Sequence, residues 1–162
     1  MKQEQKDLLF KELCTRLPYG VKVSAPFTSD KNENAKGYKI NGINFGVVEW
    51  TPTLFGEKKQ RNSIIIEAFS EKYNQYCSID VELNNDIERV KPYLFPLSSM
   101  TEEQKKELYD KLTELELKSL NDEISRIEVV KFEIEYYLKN HLDYIGLIPM
   151  GLAKDAGGLN IY

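Results

Sequence analysis

Residues 38–48, YKINGINFGVV, decide how the fold is predicted from this sequence. Asn41-Gly42 stands between Ile40 and Ile43, and both central positions of a two-residue type I′ turn need positive φ, which Asn and Gly adopt readily. The stretch therefore predicts a β-hairpin in which Ile40 pairs with Ile43.

Strand patterns flank this predicted hairpin on both sides. Residues 20–25 alternate in polarity, residues 63–69 (SIIIEAF) are apolar on both faces, and residues 75–83 alternate again. An apolar run of this length is typical of a central strand, and alternation is typical of a strand with one buried face. Together with the hairpin, these segments predict a five-stranded antiparallel meander.

Helical periodicity dominates both ends of the chain. An apolar arc at a period of 3.6 predicts a helix over residues 4–17. Thr101 and Gln104 form a capping box that starts a second helix. A phase slip near residues 117–121 favours a break there, with Asn121-Asp122 as the N-cap of a third helix that runs to about residue 141. One uninterrupted helix over residues 101–141 is the alternative. The predicted buried stripe of the third helix contains Ile124, Ile127, Val130, Ile134 and Leu138.

The predicted fold class is therefore α+β, with an antiparallel five-stranded meander packed by an N-terminal helix and a C-terminal helical pair. One domain is expected over residues 1–162, divided into a helix-plus-sheet part (1–90) and a C-terminal helical region (91–162). With 41% hydrophobic and 30% charged residues, the chain can form a core and does not resemble a disordered segment.

Composition narrows the classes of function. The net charge of −4 is unevenly spread, since residues 1–61 carry eleven Lys and Arg against seven Asp and Glu, whereas residues 62–162 carry eleven against nineteen. No apolar run approaches a membrane span, and no signal-peptide pattern is present. Two isolated cysteines and one histidine exclude a zinc finger and a two-histidine metal site. We therefore predict a cytoplasmic protein without a membrane segment, and expect neither a cofactor nor a bound metal.

His141 is the only histidine, and it raises the question of a catalytic role. It falls on the predicted apolar stripe of the third helix, while Asp143 would project about 200° away if the helix continued, so the two do not form a catalytic pair. Asp143 is better interpreted as the N-cap of a following turn. We predict structural roles for His141 and Asp143 and no catalytic residue, although a general base or proton switch at His141 stays open.

Two further groups of charged residues offer alternatives. A basic loop over residues 55–61 carries Lys58, Lys59 and Arg61, which could contact a nucleic-acid backbone. Glu67, Asp80 and Glu82 could share one sheet face and hold a hard divalent cation. Each group could equally be solvated surface, since strand register is not fixed by the sequence.

Residues 92–104 (PYLFPLSSMTEEQ) and the run from His141 to Ile148, with its H-x-D-Y-x-G-L-I pattern, resemble segments of small bacterial proteins carried by prophages and conjugative elements. The pattern differs at Leu142, where an aromatic residue is expected, and at Ile145, where a basic one is. No activity is assigned to that group, so the resemblance implies only context: a bacterial cytoplasmic accessory protein.

Three hypotheses of function follow. The first is a non-enzymatic accessory or protein-interaction protein of a bacterial mobile element, in which the acidic helical region faces another protein. The second is a nucleic-acid-associated factor that uses the basic loop at residues 55–61. The third is an enzyme that uses His141 or the metal-binding face of Glu67, Asp80 and Glu82. The oligomeric state is left open.

Overall fold

In the computed structural model, which describes residues 1–24, 38–50, 59–70, 74–80 and 86–162, six strands form one mixed sheet and three α-helices accompany it. The predicted α+β class is confirmed. Among the helices in these ranges, none is both long and apolar enough to cross a membrane. The elements in chain order are α1 (Gln3–Arg16), β1 (Lys22–Ser24), β2 (Tyr38–Trp50), β3 (Lys59–Ser70), β4 (Gln75–Asp80), β5 (Lys91–Leu94), α2 (Glu102–Leu120), α3 (Arg126–Lys139) and β6 (Lys154–Asp155).

The strand order across the sheet is β4-β3-β2-β1-β5-β6. Neighbours from β4 to β5 are antiparallel, whereas β6 runs parallel to β5. The predicted five-stranded antiparallel meander is therefore wrong in strand number and in orientation. Both strands that the prediction missed lie after residue 90, and β6, with two residues, is too short to produce a periodic pattern.

The predicted hairpin at Asn41-Gly42 is also wrong. β2 continues through both residues and pairs with β3 from Lys39 opposite Phe69 to Trp50 opposite Lys59. The register shifts by one residue between Ile40 and Gly42, which is the mark of a β-bulge. A bulge accommodates the extra residue and keeps the whole ladder with β3, so long-range pairing overrides the local turn preference.

The N-terminal helix lies against the sheet, as predicted. Leu9 and Leu13 of α1 are fully buried and belong to one core cluster with apolar residues of the inner strands, such as Val23, Ile40 and Ile66. Pro18 lies in a 3₁₀ turn, Leu17–Tyr19, that follows the helix and ends with Gly20 in the left-handed conformation (φ 69°). Glycine carries no Cβ and adopts this conformation without strain.

The C-terminal helical pair is two separate helices, and Thr101 with Gln104 forms the predicted capping box of α2. The predicted N-cap of the next helix, Asn121-Asp122, is wrong because these residues end α2. Asp122 (φ 60°) occupies the left-handed position, and the N–H of Glu123 donates to the carbonyl of Lys118 at 3.0 Å, as in a Schellman motif. Ser125 is the N-cap of α3, and its capping box includes Glu128.

The segment after α3 is fixed to β5 by backbone hydrogen bonds. The N–H of Phe95 donates to the carbonyl of His141 at 2.9 Å, and the N–H of Asp143 donates to the carbonyl of Phe95 at 2.8 Å. Further on, β6 pairs with β5, and Leu147 and Leu152 join Leu94 in a buried cluster. The stretch around His141 is thus where the C-terminal segment joins the sheet.

Candidate protein-docking surface

The apolar stripe predicted to face the core from α3 is largely solvent-exposed. Helix α3 buries Val129, Tyr136 and Leu138, of which only Leu138 belongs to the predicted stripe. Of the predicted stripe, Leu138 near the sheet is buried and Ile124, which precedes α3, is half-buried. Within α3, exposure rises from Leu138 toward the N-terminal end of the helix. The exposed fractions are 4% for Leu138, 36% for Ile134, 50% for Val130 and 77% for Ile127.

Helix α2 shows the same gradient in the opposite chain direction, because α2 and α3 form an antiparallel pair joined at residues 121–125. Leu108 is 8% exposed and packs with Tyr136 and Leu142, whereas Leu120 is 76% exposed. The distal ends of both helices therefore carry apolar side chains that nothing in the described part of the chain covers. We call the distal half of this pair the hairpin tip.

A groove of about 410 Å³ runs between the two helices at the hairpin tip. Leu112 and Leu120 of α2 and Val129 and Val130 of α3 provide its apolar lining. Its charged lining comes from Glu116, Glu133 and Arg126. An exposed apolar groove rimmed by charged residues is typical of a protein-interaction site. We call this feature the docking groove.

We expect Leu120→Glu to leave stability nearly unchanged. Because Leu120 is exposed, the free energy of unfolding should change by no more than about 0.5 kcal/mol. The matched substitution Leu108→Glu places an unpaired charge in the base of the same helix pair and should cost about 3 kcal/mol or more. Urea unfolding followed by circular dichroism measures both, and equal losses would mean that the hairpin tip is packed.

His141 lies just beyond α3, not on its stripe. It has φ 53° and takes the left-handed position of a Schellman motif, in which the N–H of Leu142 donates to the carbonyl of Tyr137 at 2.8 Å. Its ring stacks on Tyr162, with 3.9 Å between ring centroids and 16° between planes. Although Tyr162 is 40% exposed as a whole residue, its hydroxyl donates to the carbonyl of Tyr93 at 2.7 Å.

The surroundings of His141 favour the neutral imidazole. Burial, together with the positive charges of Arg16 and Lys22, lowers the pKa of His141 to about 4. Its Nδ1 is buried and meets no hydrogen-bond partner among the described residues. The carboxylate of Asp143 is directed elsewhere, toward backbone N–H groups. The two therefore do not form a proton-relay pair, and their structural roles stay predictions.

Stability should fall as the pH is lowered from 7 to 4, in part through His141. Its pKa is about 4 in the folded chain, below the unfolded value of 6.5, so the unfolded state binds the proton first in this window. Because the ring is only half-buried, we expect a contribution of about 1–2 kcal/mol, less than the full shift implies. His141→Asn should lose less stability than the parent over this range.

Asparagine is the matched choice because it tolerates positive φ, as the position requires. Burial raises the pKa of Glu12, which acts with the opposite sign, so the difference between variant and parent isolates the histidine. Parallel pH profiles for the two chains, measured by thermal unfolding, would contradict the prediction.

A buried charged cluster links α1 to the C-terminal segment. Arg16 is fully buried; its Nε donates to Oε2 of Glu12 at 3.2 Å, and its Nη2 donates to the carbonyl of Leu142 at 3.0 Å. The guanidinium also lies 5.5 Å from the ring centroid of Tyr144. Asp143, also buried, accepts hydrogen bonds from the N–H groups of Leu147 at 2.7 Å and Ile148 at 2.8 Å.

The other predicted site residues are only partly described. Lys59 and Arg61 belong to β3, so the basic loop predicted for residues 55–61 is wrong at these two positions; Lys58 lies outside the described residues. The nucleic-acid hypothesis stays a prediction.

The predicted carboxylate face consists of Glu67, Asp80 and Glu82. Glu67 of β3 is exposed and pairs with Ser78, while Asp80 pairs with Ile65, two residues along the ladder. Glu82 lies outside the described residues. Within the ranges that are described, no three His, Cys, Asp or Glu residues form a possible metal site. The metal-dependent enzyme stays a hypothesis.

A second cleft, of about 360 Å³, lies at the base of α2 and α3 near Tyr19. Its charged lining mixes Glu107 and Glu135 with Lys139. Tyr136 donates its hydroxyl to the carbonyl of Gln104 at 3.0 Å and to Glu107 at 3.2 Å. These hydrogen bonds connect α2 to α3 at the base of the helix pair, so the polar groups of Tyr136 and Glu107 have a structural role.

Sequence reasoning missed both the buried ion pair and the exposed stripe. The ion pair had a signal, since Glu12 and Arg16 follow Leu9 by three and seven residues and so share its helix face. The stripe had none, because α3 carries apolar residues on more than one face, and periodicity cannot say which face meets the core.

The fold and the docking groove define a class: an α+β protein with a mixed sheet and a helical pair whose tip presents an apolar groove. No protein-family model, curated protein or solved structure matches the chain.

Proposed function

We propose that this protein is a non-enzymatic interaction protein and that a partner protein binds at the docking groove. The observation that carries the proposal is the exposure gradient along the helix pair, which ends at Leu120 and Ile127, each more than three-quarters exposed. Burying such side chains against a partner stabilises a complex by about 1.5–3 kcal/mol each before the costs of association.

The local construction of the helix pair supports this role. The Schellman motif that ends α2, the capping box of Ser125 that starts α3 and the buried Val129 all lie at the tip, so the tip is a defined structure and not a frayed end. A preformed surface loses little conformational entropy on binding. The context that the sequence resemblance suggests, the cytoplasm of a bacterium that carries a mobile element, stays a prediction.

Photo-crosslinking in the native cells tests the proposal. A photoreactive benzoylphenylalanine placed at position 120 or 127 should give one defined adduct with another protein, and Val130→Glu should abolish it. Position 76 serves as the control because Tyr76 is equally exposed but lies on β4, in the sheet.

Two results would contradict the proposal. The same adducts from position 76 would show non-selective contact, and the lack of any discrete adduct from positions 120 and 127 would show that the groove is unoccupied in cells.

A further inference from the structure

We infer that the occupant of the docking groove is a basic amphipathic helix of a partner protein. This inference rests on the proposed function and adds the chemistry of the partner. It depends on the carboxylates of the hairpin tip that form no ion pair and on the dimensions of the groove. The same carboxylates also argue against a second copy of this chain as the occupant.

The lysines near the groove are already paired within the chain. Lys111 and Lys118 both bind Glu114, at 2.7 and 2.6 Å, and Lys131 lies 3.7 Å from Glu135. Each of these lysines therefore lies beside a carboxylate, which reduces its contribution to the field that an approaching partner meets, although Lys111 and Lys118 share the single carboxylate of Glu114.

The carboxylates of the groove walls are not balanced in this way. Glu116 on α2 and Glu133 on α3 form no ion pair among the described residues, although Glu133 accepts a hydrogen bond from Tyr137 at 2.8 Å. The loop at the end of the tip adds the exposed Asp122 and Glu123. Arg126 is the single cation in the lining and lies on the α3 wall with Glu133. The acidic character comes from Glu116 and from the tip as a whole, since residues 111–135 carry four Lys and Arg against seven Asp and Glu.

The dimensions suit a helix of about two turns. The groove extends along α2 from residue 112 to residue 120, a rise of about 12 Å. A third helix that lies between two antiparallel helices buries one apolar stripe at spacings of three and four residues. The side chains on either side of that stripe would meet Glu116 and Glu133, so Lys or Arg at those positions is complementary.

A second copy of this chain is disfavoured by the same charges. Two hairpin tips placed face to face would bring Glu116 and Glu133 of each copy toward those of the other, and like charges across an interface oppose association. Self-association is therefore an outcome that the experiment must detect.

Selection from a displayed library of random 16-residue helical peptides tests the inference. The 162-residue chain is the target, and peptides that also bind its Leu120→Glu/Val130→Glu variant are removed because they do not depend on the groove. We expect the retained peptides to carry an apolar stripe flanked by Lys and Arg.

One retained peptide, made synthetically, is then measured by fluorescence anisotropy. Glu116→Lys with Glu133→Lys should weaken its binding by about tenfold or more at low salt, and by less at high salt, where charges are screened. The control pair Asp110→Lys with Glu67→Lys changes the net charge equally at exposed positions that do not line the groove and should have little effect.

The outcomes separate this inference from the proposed function. Groove-dependent peptides without basic flanks, or an unchanged affinity in the Glu116/Glu133 variant, would overturn the basic partner while the docking function stands. Failure to retain any groove-dependent peptide would overturn both. Sedimentation that shows a dimer of the parent, lost in Leu120→Glu/Val130→Glu, would replace the partner with a second copy.

Discussion

Arg16→Met is expected to lower the free energy of unfolding by about 3–5 kcal/mol, a large part of the total stability of a small domain. Methionine fills similar space, but Glu12 would remain buried without the guanidinium at 3.2 Å, and the carbonyl of Leu142 would lose its donor. Chemical denaturation at pH 7 measures the loss. The buried charge, and not the lost volume, is the main physical cause.

The double variant Glu12→Leu/Arg16→Met distinguishes this explanation. Replacing both partners removes the unpaired buried charge, so a large part of the lost stability should return. Acid should have a related effect on Arg16→Met alone. Burial already raises the pKa of Glu12, and without Arg16 the protonated form is favoured further, so the loss should shrink as the pH falls from 7 to 5. A double variant whose loss of stability equals the sum of the losses in Glu12→Leu and Arg16→Met would contradict this account.

Asp143→Ala is expected to cost about 3 kcal/mol. The substitution removes two charge-assisted hydrogen bonds and leaves the N–H groups of Leu147 and Ile148 without acceptors in a buried turn. Leu147 is fully buried against Leu94, so the turn that Asp143 holds positions part of the core. Thermal or urea unfolding measures the loss.

Asp143→Asn is the matched control, since it keeps one acceptor oxygen and the size of the side chain. We expect it to lose about half as much stability. Amide hydrogen exchange adds a local measurement: both Leu147 and Ile148 should exchange faster in the alanine variant, while Leu13 in α1 should lose protection only as much as global stability falls. Unchanged exchange at Leu147 and Ile148 would contradict the role assigned to Asp143.

Local secondary structure was predictable from the sequence where no distant segment competes for the same backbone groups. The capping box of Thr101 and Gln104 and the helix that ends shortly before Pro18 are both present, because these patterns act over three or four residues and nothing distant opposes them. The Asn41-Gly42 turn was equally local, but β3 competes for the same backbone groups. The continuous ladder wins, and the turn signal becomes a bulge.

In the C-terminal segment, local sequence patterns also failed to predict where the site residues lie. His141 was expected on a helical stripe because the periodicity was extended two residues past the end of α3 at Lys139. The backbone at His141 instead adopts the left-handed conformation and hydrogen-bonds with Phe95. The contact with Tyr162, twenty-one residues further on, has no sequence pattern at all.

By itself, the sequence determined the α+β class, the first helix, the break between α2 and α3 and the caps that start α2, because hydrophobic period and side-chain capping are properties of a few neighbouring residues. Only the tertiary structure decided which apolar stripe of α3 is covered, where β5 and β6 join the sheet and that Arg16 donates to the carbonyl of Leu142. Each of these depends on which distant surface removes water from a side chain or supplies a hydrogen-bond partner, and a single segment does not contain that information.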